Sequence, residues 1–119
     1  YRAGAAGSPP VGPHGFHIHE VGNCQVGDPG DPFLAAGGHF NPTGQPHGNH
    51  AGDLPVLFSE PPAGFASLVF VTSRFRVADV LGRSVIVHEN PDDFRSQPAG
   101  ASGRRLACGR IEPIPSTPP

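Results

Sequence analysis

Apolar and polar positions alternate over residues 15–20, GFHIHE. With a period of two, Phe16 and Ile18 face one way and His17 and His19 the other, the pattern of a strand with one buried side. Four further segments carry strand-like runs: Leu54 to Phe58, FASLVFVTSRF at 65–75, SVIVHE at 84–89 and RRLACGRI at 104–111. The 65–75 run is β-branched and aromatic, which favours a strand. VADVLG at 77–82 has room for one helical turn or a bend. Residues 21–52 and the segment NPDDFRSQPAGASG at 90–103 lack periodicity and are rich in turn-forming residues, so both read as long loops. Five strands, two long loops and no substantial helix predict an all-β Greek-key barrel or sandwich.

Composition supports that reading. The 119 residues fit one domain, 1–119, with 1–13 as loop or tail and 112–119 as a Pro-rich tail. Seventeen glycines and sixteen prolines disfavour long helices. A net charge of -2 gives no electrostatic ground for a nucleic-acid or anionic-membrane partner. No apolar run reaches transmembrane length and no basic-then-apolar leader is present, so an exported protein would be in processed or trimmed form. A patternless loop of thirty-odd residues inside a small domain needs something besides a hydrophobic core to hold it. Cys24 and Cys108 form no CxxC pair. They are compatible with one disulfide in an oxidising compartment, or with two unrelated buried thiols.

The histidines alter the picture. There are seven, at 14, 17, 19, 39, 47, 50 and 88. The loop segment GGHFNPTGQPHGNHAGDLP carries His39, His47, His50 and Asp53, three imidazoles and a carboxylate that suit tetrahedral zinc. His17, His19 and His88 lie on strands, and a fourth imidazole beside them would suit copper. Six histidines cannot fill two sites of four donors unless one is shared. His39, between the two groups in sequence, could bridge through both ring nitrogens.

GFHIHEVGNC, GGHFNPTGQPHGNHAGDLP, VIVHENPDD and GRRLACGRI, in this order, resemble the copper/zinc superoxide dismutase family. The likeness runs from about Pro13 to Ile111. It implies the family's Greek-key barrel with long metal-binding and electrostatic loops. It implies copper ligands at His17, His19, His39 and His88, and zinc ligands at His39, His47, His50 and Asp53, with His39 as the bridge. It implies a disulfide between Cys24 and Cys108. Asp92 matches the carboxylate that links one copper-ligating and one zinc-ligating histidine, here His17 and His47. Arg105 matches the arginine beside the copper, and His39 and Arg105 become the catalytic pair. His14 matches no ligand and reads as an ordinary polar residue near a strand start.

The implied reaction is dismutation of superoxide anion, in a secreted, periplasmic or cell-envelope setting, by a chain with room for homo-oligomer formation. Two departures from the pattern stand out. His47 and His50 are only three residues apart, so the zinc loop is short. The family barrel has eight strands, three of them before the HxH pair, and residues 1–13 cannot supply three. A metal-binding or interaction domain without turnover is therefore the alternative. A zinc-only module would have no need for His17, His19 and His88 together.

Overall fold

A computed structural model describes residues 12–60 and 65–114. The expected tails and the expected turn at 59–64 thus lie partly outside the described residues. Among these, five strands form two antiparallel sheets. β1 (Gly12–His14) pairs with β3 (Leu57–Ser59), and β2 (Phe16–His19), β4 (Ser84–His88) and β5 (Arg105–Arg110) make the second sheet in the order β2-β4-β5. The 77–82 segment makes one turn, α1 (Val77–Val80). This is the mostly β architecture that the alternation implies.

Three local expectations change. Residues 12 and 13 belong to β1, because Gly12 and Pro13 sit opposite Ser59 and Phe58. The strand expected over 54–58 is displaced to Leu57–Ser59. The 65–75 run, the clearest strand by composition, is not a strand: only Phe65 bridges, to Glu60, and residues 66–72 have no regular structure. A strand is defined by its partner, and among the described residues no backbone lies alongside this run to complete a ladder. Its valines are left outward, with Val69 93% and Val71 100% exposed.

The β2-β4-β5 sheet separates chemistry from packing. Register places His17 opposite Ile86 and His19 opposite Ser84, while Phe16 pairs with Val87 and Ile18 with Val85. The histidines therefore share one face, together with Ile86, while Phe16, Ile18, Val85 and Val87 share the other. On the apolar side Ile18 joins Phe40, Ala51, Leu54 and Val80 in the core, with Phe16, Phe75, Val85 and Ile111 packed against it.

The 21–52 loop is ordered by backbone pairing along β2's free edge, a device its composition does not reveal. Glu20 and Val21 donate to Gly38 and Ala36, Phe40 donates to Ile18, Ile18 to Gly52 and Gly52 to Phe40. These bonds satisfy groups that would otherwise be buried unpaired. The Cys24–Cys108 disulfide adds a covalent tie from this loop to β5. In the loop-entropy treatment a bridge over that span is worth roughly 4 to 5 kcal/mol.

Because Cys24 lies in the loop and Cys108 in a strand, reduction should loosen the loop before the sheet. Hydrogen exchange on the reduced protein should rise first at Val21 and its neighbours, while amides of β4 stay protected. Simultaneous loss of protection in both would contradict this order.

Candidate metal centre

Two strands and one loop each bring part of the donor set. β2 delivers His17 and His19, β4 ends in His88, and the 21–52 loop returns His39, His47 and His50 to the same face. All six are buried, as is Asp53. Donor atoms of His17, His19, His39 and His88 lie within 4.8 Å of one another, and so do those of His17, His39, His47 and Asp53. His50 belongs with the second group: its Nδ1 is 3.2 Å from Asp53 Oδ1 and 3.2 Å from His39 Nδ1. His39 lies between the two groups, its ring stacked on His17 with centroids 4.0 Å apart.

The protons of these rings are assigned by their outer partners. His17 Nε2 donates to Asp92 Oδ2 at 2.7 Å, and His47 Nε2 donates to Asp92 Oδ1 at 2.8 Å. His19 Nδ1 donates to Gly37 O at 2.9 Å and His88 Nδ1 to Gly103 O at 3.2 Å. A neutral imidazole has one N–H, so His17 Nδ1, His47 Nδ1, His19 Nε2 and His88 Nε2 carry bare lone pairs. His17 Nδ1, His47 Nδ1 and His39 Nε2 are buried with no hydrogen-bond partner. His19 Nε2 and His88 Nε2 face each other at 3.4 Å, a distance that suits a hydrogen bond, but with both protons committed elsewhere there is none to share. Buried polar atoms are normally satisfied, and lone pairs gathered in this way repel. Cations between them would satisfy them all, so the residues fit a four-nitrogen site and a three-nitrogen, one-oxygen site.

Electrostatics favours the same state. Burial first, then the neighbouring imidazoles, push the His17 pKa far below 6.5. Burial lowers His19 to about 3 and His88 to about 4, and it also lowers His39. Burial alone would raise the Asp53 carboxyl, but the His39 hydrogen bond, His47 and the Gly48 amide together hold it below its usual value. His17, His19, His39, His88 and Asp53 are thus deprotonated at neutral pH, which metal binding requires. Above about pH 6.5 neither the folded nor the unfolded chain protonates His19 or His88. Below that, the unfolded chain takes up protons that the metal-free fold refuses until about pH 4 at His88 and about pH 3 at His19. The metal-free protein should therefore have its full stability above pH 6.5 and lose it steadily towards pH 3. Thermal melts of the metal-free protein across that range that stayed flat would contradict the burial of neutral rings.

Beside the first donor group lies a pocket of about 460 Å³ whose lining includes His19, His39, His88, Pro98, Ala99 and Arg105. Arg105 reaches it because of an irregularity in β5. Ile86 pairs with Cys108 and Val87 with Ala107, yet His88 pairs with Arg105, so Leu106 is an extra residue. Without that bulge Leu106 would oppose His88 and Arg105 would turn to the other face. The guanidinium donates to Phe33 O at 2.8 Å and to Gly37 O at 2.7 Å, the carbonyl that also accepts from His19. Arg104 is directed elsewhere, to Pro29 O.

The structure brings together every residue singled out as a ligand, Asp92 between His17 and His47, Arg105 at the pocket, and Cys24 bonded to Cys108. It corrects His14, which is not an ordinary polar residue: it is 2% exposed, and its ring nitrogens contact His88 O at 2.9 Å and Ser59 Oγ at 3.1 Å. His14 thereby ties β1 and β3 to the strand end that carries His88. The only sequence signal was a histidine left over after six had roles. Gly100 was also missed. A Cβ there would lie 1.9 Å from Asp92 Oδ1 and 2.5 Å from His47 Nε2, and its φ of +73° favours glycine.

Comparison with known proteins agrees with this geometry. Residues 2–111 match the family model described as copper/zinc superoxide dismutase. A superoxide dismutase [Cu-Zn] of Deinococcus radiodurans is 41% identical over 120 residues, covering 87% of this chain and 65% of that protein. An extracellular superoxide dismutase [Cu-Zn] of Caenorhabditis elegans is 39% identical over 117 residues, covering 85% of this chain and 50% of that protein. The chain thus spans between half and about two thirds of the length of these relatives. The solved Cu/Zn superoxide dismutase from Brucella abortus superposes with a TM-score of 0.76 at 36% identity, covering 88% of this chain and 75% of that one. With its two overlapping histidine groups, its bridging carboxylate and its disulfide, the chain belongs to the copper/zinc superoxide dismutase family.

Proposed function

We propose that the protein dismutes superoxide, with copper held by His17, His19, His39 and His88 and zinc held by His39, His47, His50 and Asp53. The observation that carries this is the set of buried, bare donor atoms in two groups that overlap at His17 and His39, with His39 Nδ1 against His50 and Asp53 while its Nε2 stays bare. Bound there, copper supplies a one-electron couple through which one superoxide becomes O2 while a second, with two protons, becomes H2O2; zinc contributes a fixed charge. The protein's part is recognition, orientation and proton supply. Arg105 lines the pocket with a permanent positive charge that attracts and docks a small anion. Asp92 fixes the tautomers of His17 and His47, so that each presents Nδ1 inward. His39 lines the same pocket, and its Nε2, free of any hydrogen-bond partner, is the atom at which a proton can be held for the reduced product.

We read the chain as one domain working where disulfides persist, in a secreted, periplasmic or cell-envelope location; the Cys24–Cys108 bridge supports this. Among the described residues no helix is long and apolar enough to cross a membrane. A non-catalytic binding module would have no use for the charged pocket beside the four-histidine group. The experiment that separates the two is decay of a superoxide pulse on protein reconstituted with copper and zinc. Dismutation should scale with copper content, and its absence in fully loaded protein would sink the proposal.

Two substitutions refine it. His39→Ala removes a donor from each group and should weaken retention of both metals, whereas His50→Ala should lower zinc alone. Equal copper loss in both variants would contradict the shared ring. Arg105→Ala should slow turnover per copper at low salt and flatten its decline with added salt, since attraction between exposed charges is screened over about 10 Å at 0.1 M. Arg105→Lys should keep much of the salt dependence. If the Arg104→Ala variant showed the large effect instead, the assignment of Arg105 would be wrong.

A further inference from the structure

The three-residue spacing from His47 to His50 raises a mechanical problem. Both rings must bring Nδ1 to Asp53 Oδ1, at 3.3 and 3.2 Å, from opposite ends of one tight turn. Gly48, with φ +94°, reverses the chain there, and a Cβ on it would lie 2.8 Å from Phe94 O. Part of the turn's backbone is satisfied from within. Asp53 Oδ2 accepts from the Gly48 and His50 amides at 2.7 and 3.0 Å, and Asn49 N donates to Pro46 O. These bonds shape the turn from within.

Two side chains from distant segments grip its outside. Gln97 Oε1 accepts from His47 N at 2.7 Å, and Gln97 Nε2 donates to His47 O at 3.3 Å, so one amide engages both polar groups of that residue's backbone. Across the turn, Arg74 Nη1 donates to Gly48 O at 3.2 Å and His50 O at 3.1 Å. Arg74 comes from the segment after the irregular 66–72 run, and Gln97 from the 90–103 loop that also carries Asp92. Neither touches a donor atom of the His39–His47–His50–Asp53 group. Each holds the backbone of a residue that does.

We infer that Gln97 and Arg74 are positioning residues for the zinc site: they clamp the short His47–His50 turn from either side, so that its donors are preorganised before metal arrives. This rests on the reading of His39, His47, His50 and Asp53 as zinc donors. In a longer loop the spare chain can adjust to bring each ring to the metal. Here it cannot, and hydrogen bonds from outside replace that freedom. Because Gln97 lies next to Pro98 and Ala99 in the pocket lining, the same clamp ties the order of the zinc turn to one wall of the substrate pocket.

The test is titration of metal-free protein with cobalt(II), whose visible absorption reports tetrahedral occupancy of the zinc site, with copper(II) affinity measured on the same variants. Gln97→Ala and Arg74→Ala should each weaken cobalt binding by about tenfold to a hundredfold, the range for partners that orient ligands from outside. Copper affinity should change far less. Arg74→Lys should restore most of the loss, since one ammonium can reach both carbonyls. Gln97→Glu should be intermediate, because it keeps an acceptor for His47 N–H but loses the donor to His47 O. Wild-type cobalt affinity in both alanine variants would overturn the clamp while leaving the donor assignment intact. Equal loss of cobalt and copper would overturn it too, as general loosening. Wild-type protein with no tetrahedral cobalt spectrum would overturn the donor assignment itself.

Discussion

One buried carboxylate organises the centre. Asp92 accepts His17 Nε2 on one oxygen and His47 Nε2 on the other, and the second oxygen also takes the Phe94 amide. A strand histidine and a loop histidine are thereby locked into the same tautomer, with their remaining nitrogens turned inward. The carboxylate is buried, so these bonds are not weakened by solvent. Gly100 leaves the space that this arrangement needs, and the 90–103 loop is built around it.

The rest of the molecule gives that constraint a rigid surround. The β2-β4-β5 sheet sets the spacing of His17, His19 and His88 by register, and its opposite face anchors to Ile18, Phe40 and Leu54. The 21–52 loop has almost no secondary structure but is not loose. It is laced to the β2 edge, bonded through Cys24 to β5, and capped by Arg105 at Phe33 and Gly37. Gly37 O illustrates the economy of the arrangement, since one carbonyl orients His19 and anchors the guanidinium at the pocket.

The candidate donors were legible in the sequence because they depend on residue type and spacing: alternation put His17 and His19 on one face, and the counting of donors called for one shared residue, for which His39 was the candidate by position. The long-range arrangements were not. Nothing local shows that Leu106 is an extra residue that turns Arg105 towards His88, or that His14 is tied to Ser59 and His88. The 65–75 run misled for the same reason, because its β propensity describes a side chain's fit to a pleated surface and cannot supply a neighbouring strand. Gln97 and Arg74 contact backbone groups of another segment, and Gly100 matters by the space it leaves beside Asp92 and His47; such contacts leave no motif.

The central claim is that two metal sites meet at one imidazole. Elemental analysis of the purified, reconstituted chain, combined with electron paramagnetic resonance of the copper in samples with and without zinc, addresses it directly. The account predicts equal amounts of copper and zinc per chain, and a copper spectrum dominated by nitrogen that shifts when zinc is removed. Zinc without copper, or a copper spectrum indifferent to zinc, would contradict it.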